Sequence, residues 1–287
     1  MPESHSWVLL TMGDRPEQVA RAVASIRRQS IEPTEVLVVG NGVELDPMEG
    51  TSVVTLPANV GIAAGRNAGA RAARGDVVFF LDDDAECLGD EVTAAVLDVL
   101  AARPEVAVVS LRVVDAASGE TQRRHVPRLR VGDPMRPSDV TTFLGGACAI
   151  RRGGFVEAGG YPDAFFYAME ETDLAWRLLD LGHSIHYLAD AAVHHPATTP
   201  ARHGHAFVAT ARNRVWLARR RLPLSLQPLY LLTWAVLMLL RAPGWRARRQ
   251  VVAGLAEGAR IPAPRPFARI SWRTVGRMVR LGRPPII

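Results

Sequence analysis

Lysine is absent from this 287-residue chain, so all 34 of its basic side chains are arginine. Cysteine is scarce: Cys87 and Cys148 are the only two, each in apolar surroundings. That argues against a disulfide framework or a cysteine-rich metal site, and it suits a reducing compartment. The N-terminal MPESHSWVLL has no basic lead-in before its short apolar stretch, so no signal peptide is expected and the expected location is cytoplasmic. No uninterrupted apolar run reaches the roughly 20 residues of a membrane-spanning helix. The longest candidate, LPLSLQPLYLLTWAVLMLL (222–240), is broken by Pro223 and Pro228 in its first half. No internal repeat is visible.

Acidic residues also run out. Residues 1–201 carry 17 arginines against 28 carboxylates, whereas 202–287 carry 17 against Glu257 alone. A basic tail of this kind meets an anionic membrane surface or nucleic acid, or simply covers the acidic body. The apolar 222–240 stretch with arginines on both sides reads as a helix lying in a bilayer interface, or as one packed on the protein's own core. The tail lacks a regular nucleic-acid recognition motif and the acidic body would repel phosphate, so no nucleic acid is expected as a partner.

What the chain does have is 48% hydrophobic residues, enough for one large domain or a domain plus an appendage. Short β-branched runs alternate with helical patterns: WVLLT (7–11), VLVV (36–39), VVTL (53–56), DVVFFLD (76–82) and VAVVSL (106–111) as strands. A helix starting near Pro16, a small-residue helix over 61–74 and a third over 91–102 lie between them. This alternation predicts an α/β fold with a mainly parallel sheet. Residues 115–140 read as a long loop, TTFLGGACAI (141–150) resumes strand character, and 168–181 is an amphipathic helix closed by Gly182.

The most apolar strand runs into Asp82, Asp83 and Asp84. Adjacent carboxylates repel one another, so they either fan into solvent or share a cation. At the carboxyl end of a parallel strand, where α/β sheets bind ligands, hard oxygen donors suit Mg²⁺ or Mn²⁺. Upstream, the glycines of NVGIAAGRNAG (59–69) let backbone approach a phosphate and Arg66 adds a charged fork; a tightly packed helix also needs small residues, but not Arg66 and Asn67. In EETD (170–173) three acids crowd a helix start, where the helix dipole favours carboxylates whether for stability or to keep a base ionised.

The order N-x-G-x-x-x-x-R-N-x-G, then a strand into DDD, then GGACAIRRGGFVEAGGYPDAFFYAMEETDLAWR resembles family-2 glycosyltransferases of the GT-A fold, over about residues 7–200. The resemblance implies an α/β GT-A catalytic domain over 1–204, with nucleotide-sugar binding in 1–112 and the acceptor and catalytic part in 140–204. An arginine-rich helical extension would fill 205–287. It implies a nucleotide-diphosphate sugar donor and Mn²⁺ or Mg²⁺ held by Asp82 and Asp84, with His194 favoured over His195 as the added ligand. Asp83 would lie near the ribose, and Thr11, Arg15, Gly61, Arg66 and Asn67 would line the nucleotide pocket. The family's usual acid after the second strand is replaced here by Gly40-Asn41-Gly42, so Asn41 is the candidate base contact and the nucleotide stays open. Glu171 falls at the base position, with Asp173 binding the acceptor hydroxyl or orienting the site; the two roles are interchangeable at this stage. His203, Arg212 and Asn213 are further candidates near diphosphate or acceptor. The implied reaction is a single inverting displacement onto a hydroxyl of a glycan, a lipid-linked acceptor or a small molecule. A nucleotidyltransferase is the alternative, although TMGDRP (11–16) offers only Arg15 as a phosphate grip.

Overall fold

In strand β1 (His5–Thr11), Trp7 and Leu9 point to one face of a sheet and Val8 and Leu10 to the other, and helices cover both faces. The computed structural model describes residues 3–196 and 206–287. β1 lies between β2 (Glu35–Asn41) and β4 (Val77–Asp82), parallel to both, and β3 (Ser52–Leu56) extends the parallel set beyond β2. These are the strands that β-branched runs announce, because a strand buried on both faces carries few polar residues.

Past β4 the sheet changes character. β8 (Ala147–Arg151) runs antiparallel to β4 and to β6 (Val106–Asp115), and β9 (Ser184–His195) runs parallel to β6. The short β5 (Glu86–Cys87) and β7 (Ser138–Asp139) both pair antiparallel with β9. The sheet is therefore mixed, with the order β3-β2-β1-β4-β8-β6-β9-β5. β8 starts later than the 141–150 run suggests, because Gly145 and Gly146 form a turn before it.

On one face lie α1 (Pro16–Arg27) and α3 (Val92–Ala102), burying Val23, Ile26, Val96 and Leu100. The other face holds α2 (Gly61–Ala72), the short α4 (Arg152–Glu157) and α5 (Glu170–Asp180). It also holds α6 (Ala206–Arg221), whose Trp216 and Leu217 share a core cluster with Leu174 and Leu178 of α5. The division expected at residue 205 thus cuts through a shared core: α6 is built into the catalytic half. α7 (Gln227–Arg241), α8 (Gly244–Arg260) and α9 (Trp272–Arg280) follow; α8 packs along α6, and α9 is tied to α5 through Ser271 and Thr274 bonding Asp180.

Candidate active site

The parallel strands deliver their carboxyl ends to one side. After β1, Thr11 Oγ1 accepts from the Gly13 N–H and Arg15 Nη1 reaches Asp84 at 2.6 Å and Asp83 at 3.3 Å. After β2, Asn41 accepts from Val60 N and donates to Asn59, which fixes the turn into α2. A cavity of about 780 Å³ is lined by Thr11, Arg15, Asn41, Gly61, Arg66, Asp82, Asp83 and Asp84. Eight residues chosen from separate stretches of sequence converge there. Asp83 is pushed up to about 6 by burial, against the pull of its Thr11 hydrogen bond and of Arg15.

Asp82, Asp84 and His195 each bring one donor atom within 4.8 Å of the others. His195 Nε2 lies 3.2 Å from Asp84 and 3.8 Å from Asp82. Its Nδ1 is 2.7 Å from the Pro196 carbonyl, an acceptor only, so Nδ1 carries a proton; Nε2 donates to Asp84 when the ring is charged and becomes a ligand atom once that proton is lost. Burial works against the charged imidazolium, but the Asp84 hydrogen bond and Asp82 hold its pKa above the ordinary value. Neighbours in a strand point to opposite faces. His194, the residue favoured from sequence, therefore does not join the cluster, and the correction is to His195.

Arg66 connects this group to α5. Its Nη2 donates to Asp82 at 2.7 Å, and Nη1 lies 3.6 Å from Glu171 and 4.0 Å from Glu170. Two glycines make the approach possible: a Cβ on Gly146 would sit 2.0 Å from Asp82, and one on Gly145 would meet Arg66 at 2.4 Å and Glu171 at 2.5 Å. Glu171 is 23% exposed towards a second cavity of about 1070 Å³, whereas Glu170 is 2% exposed. Burial raises the pKa of both, and the Glu171 charge raises that of Glu170 further, to about 8; Arg66 only partly offsets the rise in each, and a hydrogen bond from Glu170 helps hold Glu171 down. The pair therefore retains a proton to higher pH than ordinary glutamates do.

Two sequence assignments are corrected. Asp173 is fully buried and faces away from the cleft; its carboxylate receives hydrogen bonds from Arg177, Arg220 and Arg221. The three guanidiniums outweigh the cost of burying the carboxylate and keep its pKa low. Asp173 thus joins α5 to α6 and lines neither cavity. Asn67 is also buried, with its amide used up on the Tyr161 backbone and the Asp163 carboxylate, so it braces α2 and does not line the cavity of Asp82–Asp84.

Asn213 is structural as well. Its amide nitrogen donates to the carbonyls of Phe165, Tyr167 and Ala168, just before α5. Phe166, Ala168 and Met169 there have φ of 59°, 70° and 72°, and Asn213 holds this strained backbone in place. Arg212 spans Glu257, the Asn213 side chain and the Trp216 ring. His203 lies outside the described residues. The sequence reading missed Arg124 and His125, which the long loop places on the boundary of both cavities. His125 is pushed down to about 4 by burial and by Arg124. Their only sequence signal was the length of that loop.

The family model for glycosyl transferase family 2 matches residues 7–158. The chain is 28% identical over 213 residues to the pre-mycofactocin glycosyltransferase of Mycobacterium tuberculosis, covering 68% of this chain and 43% of that protein. It thus spans under half the length of that relative. Among solved structures, GalNAc-T7 with UDP, GalNAc and Mn²⁺ shares the fold at a TM-score of 0.63 and 16% identity, covering 88% of this chain and 54% of that one. The mannosyltransferase PcManGT of Pyrobaculum calidifontis, in complex with GDP-Man and Mn²⁺, gives a TM-score of 0.56 at 20% identity, covering 90% and 76%.

Proposed function

Because the chain belongs to glycosyl transferase family 2, we propose that it moves a sugar from a nucleotide-diphosphate donor to an acceptor hydroxyl with inversion. The observation that carries this reading is the pair of adjoining cavities, one bearing the Asp82–Asp84 carboxylates and the other Glu171, joined by Arg66. The bound nucleotides and Mn²⁺ of GalNAc-T7 and PcManGT support a nucleotide-sugar donor and a divalent ion.

Two carboxylates and one imidazole nitrogen, close enough to share an ion, fit Mn²⁺ or Mg²⁺. Asp82, Asp84 and His195 would hold it, and its chemistry would be to offset negative charge on the leaving diphosphate. The remaining steps belong to the protein. Arg15 and Arg66, which pair with Asp83 and Asp82, would bring fixed positive charge to the phosphates, and Asp83 would meet a ribose hydroxyl. Glu171 takes the proton of the acceptor hydroxyl, which then attacks the anomeric carbon on the face opposite the diphosphate. Arg66 stabilises the Glu171 carboxylate before proton transfer, while burial still holds its pKa above the ordinary value.

On this reading the donor is tested by thermal denaturation with UDP-, GDP- and dTDP-sugars, with and without Mn²⁺. One nucleotide class raises Tm, and does so only with the metal. No shift with any of them would contradict the proposal. We place the protein on the cytoplasmic side with its C-terminal helices against an anionic membrane. Support comes from Leu224–Arg241, a stretch of 18 residues long and apolar enough to span a bilayer, of which only 6% is buried.

A further inference from the structure

A helix that is apolar all round belongs in a protein core or in lipid, yet of the apolar residues of α7 only Tyr230 is buried. Leu229, Leu232, Val236 and Leu240 form an exposed stripe along it. The opposite stripe, Trp234, Leu237 and Arg241, lines the Glu171 cavity. The acceptor side of the cleft therefore opens directly onto the exposed apolar helix.

Behind this wall two arginines, Arg214 and Arg283, have no aspartate or glutamate partner among the described residues; both line a smaller cavity of about 70 Å³ that shares Trp234 and Arg283 with the Glu171 cavity. The Arg214 guanidinium lies 3.3 Å from the Trp234 ring centroid and donates to the Tyr230 hydroxyl at 3.1 Å. Its Nε is shut off from solvent and has no hydrogen-bond partner. Arg283 lines the cavity beside it, its Nε at most grazing the Ile287 main-chain oxygen at 3.5 Å. Burial lowers the pKa of both, and Arg214 lowers that of Arg283 further, as like charges at close range do. Elsewhere in this tail the buried arginines have partners: Arg220 and Arg221 bond Asp173. Cations partly withdrawn from water and without a carboxylate partner are costly, and a guanidinium fork matches a phosphate.

Resting on the reading of this cleft as a glycosyl-acceptor site, we propose that Arg214 and Arg283 bind the phosphate of a phosphate-linked lipid acceptor whose apolar chain lies along α7. The hydroxyl-bearing head of that acceptor points to Glu171. Arg241, exposed at the end of α7 and at the edge of that cavity, would meet phosphates at the membrane surface.

The test uses three probes below their micellar concentrations on the full chain: decyl phosphate, decyl glucoside with the same chain and no charge, and inorganic phosphate with the charge and no chain. Binding is read by calorimetry and by tryptophan fluorescence, since Trp234 touches Arg214. Decyl phosphate binds at least tenfold tighter than either other probe. Arg283→Gln weakens it about tenfold without changing decyl glucoside binding, and Arg283→Lys recovers part of the loss. Equal binding of decyl phosphate and decyl glucoside overturns the proposal, as does inorganic phosphate binding as tightly as decyl phosphate. So does a folded Arg283→Gln variant with unchanged affinity. If Arg283→Gln does not fold, the ranking of the three probes on the unaltered protein decides. Nucleotide binding with Mn²⁺ is measured in parallel on the unaltered protein. Its failure overturns the transfer reading, whereas nucleotide binding without the decyl phosphate preference overturns only the acceptor assignment.

Discussion

Arg66 donates to Asp82 across 2.7 Å, tying the middle of α2 to the end of β4, and its other amino group faces Glu171. The guanidinium is itself buried, and Asp82 with the two glutamates keeps it charged against that burial. Removing it leaves acids from both motifs facing one another. Arg66→Gln is expected to lose about 2–3 kcal/mol, discounted from the usual cost of breaking a buried pair because Asp82 is half exposed. Urea denaturation checks this. An unchanged midpoint would show that the acids do not depend on Arg66.

Asp173 and Glu171 lie two residues apart and should respond oppositely. Asp173→Asn leaves Arg220 and Arg221 buried with a neutral partner, at an expected cost of about 3–5 kcal/mol. Glu171→Gln, which removes the charge that raises the pKa of Glu170, should leave stability unchanged or raised. Chemical denaturation of the two variants side by side distinguishes a structural acid from a reacting one.

For the histidines the prediction concerns metal affinity. His195→Ala removes one of three ligand candidates and should weaken Mn²⁺ binding by at least tenfold, while His194→Ala changes it little. Titration followed by Mn²⁺ electron paramagnetic resonance gives both numbers. The reverse ranking would restore the assignment favoured from sequence.

The Glu170–Glu171 pair gives a pH dependence whose sign can be worked out. Both folded pKa values are raised above the ordinary 4.5, so above that pH the folded protein binds more protons than the unfolded chain. Stability then falls as pH rises from 4.5 through the raised pKa. Glu170→Gln removes the like charge and should flatten this slope, measured by urea unfolding at pH 5 and pH 8. An unchanged slope would mean the pair does not hold the extra proton.

Much of the parallel half of the sheet was legible, because buried strands and a small-residue helix write themselves as runs of one residue class. The donor cavity was legible for a related reason: its residues sit at strand ends, where the fold gathers them. The failures share a cause, which is dependence on partners distant in sequence. The role of Asp173 is set by Arg220 and Arg221, 47 and 48 residues downstream and beyond the boundary drawn at residue 205. His195 displaced His194 because β9 was not read as a strand, so its phase was unknown. Asn67 is fixed by Tyr161 and Asp163, over 90 residues away. Exposure, which decides whether α7 is a core helix, has no signature in an all-apolar run.

The most direct test measures sugar transfer by Glu171→Gln, once a donor has been found by thermal shift, alongside Mn²⁺-dependent binding of that donor. The account predicts transfer reduced by about 10²–10⁴, as for loss of a general base, with donor binding retained. Turnover equal to that of the unaltered protein would contradict it.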